Sequence, residues 1–259
     1  MKLFDKYMDE AAALLQPYLK EYGRPVTEEG PLWPLTDRNP FIMERDTALE
    51  LGGYPKESVN LIISSSQPLP FRDEAGDGTR RVLNFTPSRT GGNEDFDGVE
   101  RDFGAEKHLS FGKIVFLQTE EFTDDAVYEF QQAVQLADLR LKLEYVMTRS
   151  SSRQYQINLR VGKKAAEAGL SLDSMVRTIC EQLCKVPGVK DAAVILLAGD
   201  SPVYKQLLPL AEKVKDVTAA LNTMFDGIDM DCGSCSLNEI CDEVEGLREL
   251  HRNKRKESV

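Results

Sequence analysis

Apolar positions recur at helical spacing over residues 2–21. Leu3, Tyr7, Leu14 and Tyr18 recur with Phe4, Met8, Ala11, Leu15 and Leu19 beside them, and Asp5, Lys6, Asp9 and Glu10 lie between. An amphipathic N-terminal helix is expected. Pro25, Pro31, Pro34 and Pro40 then deny the chain a regular element. Trp33, inside that stretch, is expected to pin the loop to the core rather than to hold a ligand. Residues 59–63 read as a strand entered through Gly52-Gly53-Tyr54-Pro55.

From 67 to 112 the pattern dissolves into Gly, Pro, Asp and Arg, a length unusual for a structureless loop in a compact domain. Arg72, Arg80, Arg81, Arg89 and Arg101 in this segment could hold a phosphate-bearing ligand. Asp73, Glu74, Asp77, Glu94, Asp95, Asp97 and Glu100 share it, so a solvated surface excursion is the plainer reading.

Order returns at 113–119, a short buried strand carrying Ile114, Val115, Phe116 and Leu117. Thr123 followed by Asp124 and Asp125 marks a helix start, with the hydroxyl as cap and the acids suited to the dipole. The stripe Val127, Phe130, Val134, Ala137, Leu141 and Tyr145 predicts that this helix continues to about Thr148. Residues 154–161 alternate, with Tyr155, Ile157, Leu159 and Val161 on one strand face. A helix over 172–184 stops at Pro187-Gly188, and a strand follows at 192–197. A last helix opens around Pro202, with Pro209 an expected kink. Strands alternating with helices give an α/β or α+β fold, a mixed sheet with flanking helices and a C-terminal cysteine-rich loop. The expected units are an N-terminal helix over 1–22, an α/β domain over 23–226, and a cysteine-rich segment with a C-terminal helix over 227–259.

Composition narrows the function. Of 259 residues, 41% are hydrophobic and 29% charged, as in a globular chain. The net charge of −11 argues against a general nucleic-acid binder, because phosphate contacts need a basic face, so nucleic acid is not an expected partner. The basic run at 252–256 reads as a solvated end. The longest apolar run, 192–199, is too short to cross a bilayer, and the acids and lysine of the first ten residues do not form a signal peptide. A cytoplasmic location is therefore expected, with no membrane partner.

The strongest chemical signal is Asp231-Cys232-Gly233-Ser234-Cys235-Ser236-Leu237-Asn238-Glu239-Ile240-Cys241. Cys-x2-Cys-x5-Cys puts three thiolates on one loop, and without an export signal a metal site is preferred to a disulfide framework. Soft thiolates select an iron–sulfur cluster, zinc or copper(I). A [4Fe–4S] cluster takes four ligands. Cys232, Cys235 and Cys241 would supply three of them. The fourth could be Cys180, Cys184, an oxygen ligand such as Glu239, a second subunit, or an open iron. For zinc, His251 could complete a Cys3His set, though its distance from Cys241 exceeds the usual finger spacing. An iron–sulfur cluster is the preferred reading, zinc the alternative, and no metal the third. Cys180 and Cys184 share a helix face with Val176 and Leu183, and core packing is the default for both. His108 and His251 have no sequence-level partner for nucleophilic catalysis, and Gly91-Gly92 and Gly52-Gly53 match no phosphate-binding motif.

The order of these features resembles a known family. Leu49-Glu50-Leu51-Gly52-Gly53 precedes a strand, and the long helix from Thr123 follows. Ile157-Asn158-Leu159-Arg160-Val161 then runs into Lys163-Lys164-Ala165-Ala166, and the strand at 192–197 and its helix lead to a Cys-x2-Cys loop. Over roughly 25–241 this resembles the β-type acetyl-CoA synthase subunit of the CO dehydrogenase/acetyl-CoA synthase system, its middle domain running into its cluster domain. In that family the loop is Cys-x2-Cys-x8-Cys with a fourth cysteine, and a later Cys-Gly-Cys holds nickel beside a [4Fe–4S] cluster. Here the last spacing is shorter and neither later element is present after Cys241. The resemblance therefore implies Cys232, Cys235 and Cys241 as iron–sulfur ligands and no nickel chemistry. It further implies a redox or accessory role in CO- or corrinoid-dependent one-carbon metabolism. The implied partners are a CO dehydrogenase, corrinoid or ferredoxin-type protein, and a homo-oligomer is possible. The rival readings are an enzyme with an open-iron cluster acting on a small, phosphate-bearing substrate, and a zinc-stabilised interaction module. Whether the chain is an enzyme stays open at this point.

Overall fold

The structure, a computed structural model, describes residues 3–25, 30–52, 58–71, 83–85, 110–151, 156–198, 202–225 and 238–244. The chain begins with α1 (Asp5–Tyr22), β1 (Gly23–Pro25), β2 (Thr47–Leu51), β3 (Val59–Ser65) and β4 (Leu83–Phe85). Then come β5 (Phe111–Thr119), α2 (Asp124–Arg140), β6 (Val146–Ser151) and β7 (Gln156–Gly162). The remainder is α3 (Lys163–Glu167), α4 (Leu172–Leu183), β8 (Val189–Ala198), α5 (Val203–Phe225) and α6 (Asn238–Glu243).

Two sheets organise these elements. A five-stranded mixed sheet runs β1-β4-β8-β5-β3, and a three-stranded antiparallel sheet runs β2-β7-β6. In the larger sheet β3/β5 and β4/β8 are parallel while β5/β8 and β1/β4 are antiparallel. The expected mixed sheet with flanking helices is present, and its separation from a second, antiparallel sheet makes the class α+β. No helix among the described residues is long and apolar enough to cross a membrane.

The period-2 alternation of β5 divides the molecule into layers. On one side Gly112 lies against Tyr204 of α5, and α1 and α5 both pack on β3. Tyr7, Met8, Ala11 and Leu15 of α1 are buried there, as the helical stripe predicts. On the other side Phe111 and Lys113 face α2, α4 and the smaller sheet. Because β5 is covered on both faces, residues 111–117 are all buried, which is why they read as a near-continuous apolar run.

The linkage between loop and core is specific. Trp33 is 8% exposed, and its indole N–H donates to the Glu144 carbonyl at 2.8 Å. The Trp33 carbonyl in turn accepts from the Thr178 hydroxyl at 3.0 Å, so the tryptophan ties the proline-rich loop to α4. Its expected structural role holds.

The helix from Thr123 is shorter than its stripe suggested. It starts at the expected place, but the Thr123 hydroxyl does not cap it; the Thr123 carbonyl accepts from Ala126 and Val127 instead. It stops at Arg140, where the Leu141 N–H turns back to the Asp138 carbonyl at 3.3 Å. Tyr145 sits at φ 55 with its side chain exposed, and Val146–Ser151 becomes β6. Leu143 and Val146 are buried although they lie off the helical stripe, while its last member, Tyr145, is turned outward. At the far end, α5 is assigned as one helix running through Pro209.

Gly52 follows β2 at φ +78, and a Cβ there would lie 2.1 Å from the Ile157 carbonyl oxygen. The left-handed backbone and that clash act together. Gly52→Ala is therefore expected to cost about 2–5 kcal/mol, read as a lowered urea midpoint. An unchanged midpoint would mean that β2 does not approach β7 this closely.

Candidate metal centre

Of the three cysteines expected to hold a cluster, Cys241 lies among the described residues, and Cys232 and Cys235 lie outside them. Cys241 occupies the short helix α6, which packs on α5. It is 7% exposed and joins Ile240 and Val244 in the hydrophobic core. The apolar side of α6 thus fixes the third thiol of the motif against the folded domain. Three sulfur donors suit a soft metal centre.

The structure also places the proposed fourth ligands. Glu239 is exposed, and residues two apart on a helix point about 200° from one another. Glu239 therefore points away from the side of α6 that buries Cys241. Cys180 is 1% exposed on α4, where its thiol donates to the Ala192 carbonyl at 3.3 Å. That helix covers the opposite side of the mixed sheet from α5, against which α6 and its Cys241 pack. Cys184, at the C-cap of α4, is half-buried against the core. Cys180, Cys184 and Cys241 are thiols, not half-cystines, and the core role expected of Cys180 matches its surroundings. Cys180→Ala is expected to lower stability on the order of 1 kcal/mol through lost packing while leaving any bound iron in place. Loss of iron from this variant would make Cys180 a ligand. His108, His251 and the five arginines of the 67–112 segment lie outside the described residues.

Sequence reasoning missed a second group of polar residues. Lys113, buried near the N-terminal end of β5, forms an ion pair with Asp138 of α2. Their side chains are 9% and 15% exposed. Asn60, the register partner of Lys113 on β3, stands beside it, and its buried Oδ1 has no hydrogen-bond partner. All three line a cavity of about 600 Å³ between the mixed sheet, α2, α4 and the smaller sheet. Its walls are otherwise mainly apolar, including Ile62, Phe111, Leu159, Met175, Ile179 and Leu196. A lysine within an otherwise apolar strand was the available signal.

Among the described residues, no three His, Cys, Asp or Glu side chains come together as a metal-ligand group. No protein-family model matches the chain, and no curated protein matches it.

Proposed function

We propose that this chain binds one [4Fe–4S] cluster through Cys232, Cys235 and Cys241 and serves as a redox or accessory component of CO- or corrinoid-dependent one-carbon metabolism. The observation that carries the reading is the Cys-x2-Cys-x5-Cys spacing, whose last thiol is held on a helix docked to the domain core. Three thiolates on one short segment are a soft donor set with an affinity for iron–sulfur centres. The cluster would supply one-electron chemistry. The chain's own part is to anchor it beside a folded domain and to keep Cys241 away from bulk water. The metabolic assignment rests on the order of sequence features shared with the acetyl-CoA synthase family. A CO dehydrogenase, corrinoid or ferredoxin-type partner follows from the same likeness.

The testing measurement is an anaerobic preparation analysed for iron, acid-labile sulfide, zinc and nickel together with a visible spectrum. Iron and sulfide in matching amounts support the reading. A colourless protein with stoichiometric zinc and no sulfide would replace it with a structural zinc module.

A further inference from the structure

The cavity beside Lys113 has the construction of a ligand site and plays no part in the cysteine chemistry. Its volume of about 600 Å³ falls within the range of about 300–1,000 Å³ usual for small-molecule pockets. It also shares their make-up, apolar walls with a few converging polar groups. We propose that this cavity binds an uncharged small molecule with an apolar body and an amide-type polar end that both accepts and donates hydrogen bonds.

Three observations select that chemistry. The walls built from Ile62, Ile179 and Leu196 favour an apolar body. Lys113 and Asp138 already neutralise one another. A charged ligand would add an uncompensated charge among mainly apolar walls, so the occupant is uncharged. The polar end is set by Lys113 and Asn60, on a wall that also carries Gln135 and Thr148. An ammonium carries three N–H donors, so Lys113 retains capacity for a carbonyl oxygen after pairing with Asp138. The Asn60 Oδ1 is an acceptor without a donor. Asn60 and Lys113 are register partners on adjacent parallel strands and share one face, a separation of about 4.8 Å between strands. A carboxamide presents its C=O and N–H at a spacing that suits two such neighbours.

The entrance lies toward the C-terminal end of α2. There Leu139 lines the cavity and is 76% exposed, while Asp138 beside it is turned inward. An apolar residue at the mouth gives an incoming apolar body a first contact outside the polar wall.

The test uses the full chain with Nile red as an uncharged fluorescent reporter, displaced by decanamide, decanoate or decane. Saturable, blue-shifted Nile red fluorescence is expected. Decanamide should displace the dye at least about tenfold more effectively than decanoate, a factor equivalent to about 1.4 kcal/mol. Asn60→Leu removes the acceptor without emptying the wall. It should weaken decanamide about tenfold while leaving Nile red and decane displacement within about twofold. Met175→Trp, which fills the cavity, should abolish saturable dye binding in a protein whose circular dichroism is unchanged. If Met175→Trp does not fold, the Asn60→Leu comparison alone decides. Decanoate binding as well as decanamide, or equal loss of all ligands on Asn60→Leu, would overturn the ligand class. Absence of saturable binding to the folded wild-type chain would overturn the site itself. The same measurements on Cys232→Ser protein are expected to be unchanged, so the result stands apart from the presence of a cluster.

Discussion

Replacing Cys232, Cys235 or Cys241 by serine is expected to abolish, or reduce by most of its intensity, the broad blue-region absorption of anaerobically purified protein. The colour of an iron–sulfur protein comes from thiolate-to-iron charge transfer, and a serine oxygen is a harder, poorer donor to such iron. The three positions should differ in one further respect. Cys241 is buried with Ile240 and Val244 against α5. Its serine variant therefore places a hydroxyl in an apolar setting and is expected to lose about 1–3 kcal/mol of stability even without metal. Visible spectra and iron content report the first effect, and urea unfolding of the metal-free proteins reports the second. Full retention of colour in all three single variants would remove the cysteine segment as the cluster site.

Asp138→Leu is expected to be among the most destabilising single changes in the domain. It strands the Lys113 ammonium on β5, where its side chain is 9% exposed. Breaking a buried pair by removing one partner costs about 3–5 kcal/mol, because the remaining charge has neither water nor a counter-ion. The double variant Lys113→Met/Asp138→Leu removes both charges and is expected to recover most of that loss. Urea midpoints of the two single variants and the double form the cycle that checks this. A loss below about 1 kcal/mol for Asp138→Leu would mean that Lys113 reaches solvent when unpaired.

Several elements were legible from spacing alone, and others were not. The stripe over residues 2–21 became α1, and the alternation around Ile157, Leu159 and Val161 became β7. The helix over 172–184 was recognisable because its apolar face is strong and its ends are marked. Ser171 and Ser174 close a capping box at the start, and Gly188 at φ +86 follows the end. The helical expectation for residues 146–148 does not hold, since Val146 opens β6. The last member of the apolar stripe, Tyr145, is exposed, and from Val146 the backbone is committed to β6 by pairing with β7. β2 also gave no independent strand signal. It is held by antiparallel pairing with β7, and by Arg160, whose guanidinium meets Glu50 at 2.8 and 3.0 Å and the Ile42 carbonyl at 3.0 Å.

What the sequence by itself determined was therefore local. Periodicity located the buried strands and amphipathic helices because side-chain direction repeats every 2 or about 3.6 residues wherever a face must leave water. Cysteine spacing likewise identified a candidate ligand set, since its chemistry depends on neighbours along the chain. Tertiary structure decided which distant segments meet. It joined Lys113 to Asp138, set Asn60 beside them, placed Cys180 and Cys241 on opposite sides of the mixed sheet, and assembled β2, β6 and β7 into a second sheet. Those outcomes rest on strand pairing and on the need to compensate a buried charge. Both are energies of contact between residues far apart in the chain, and no local period records them.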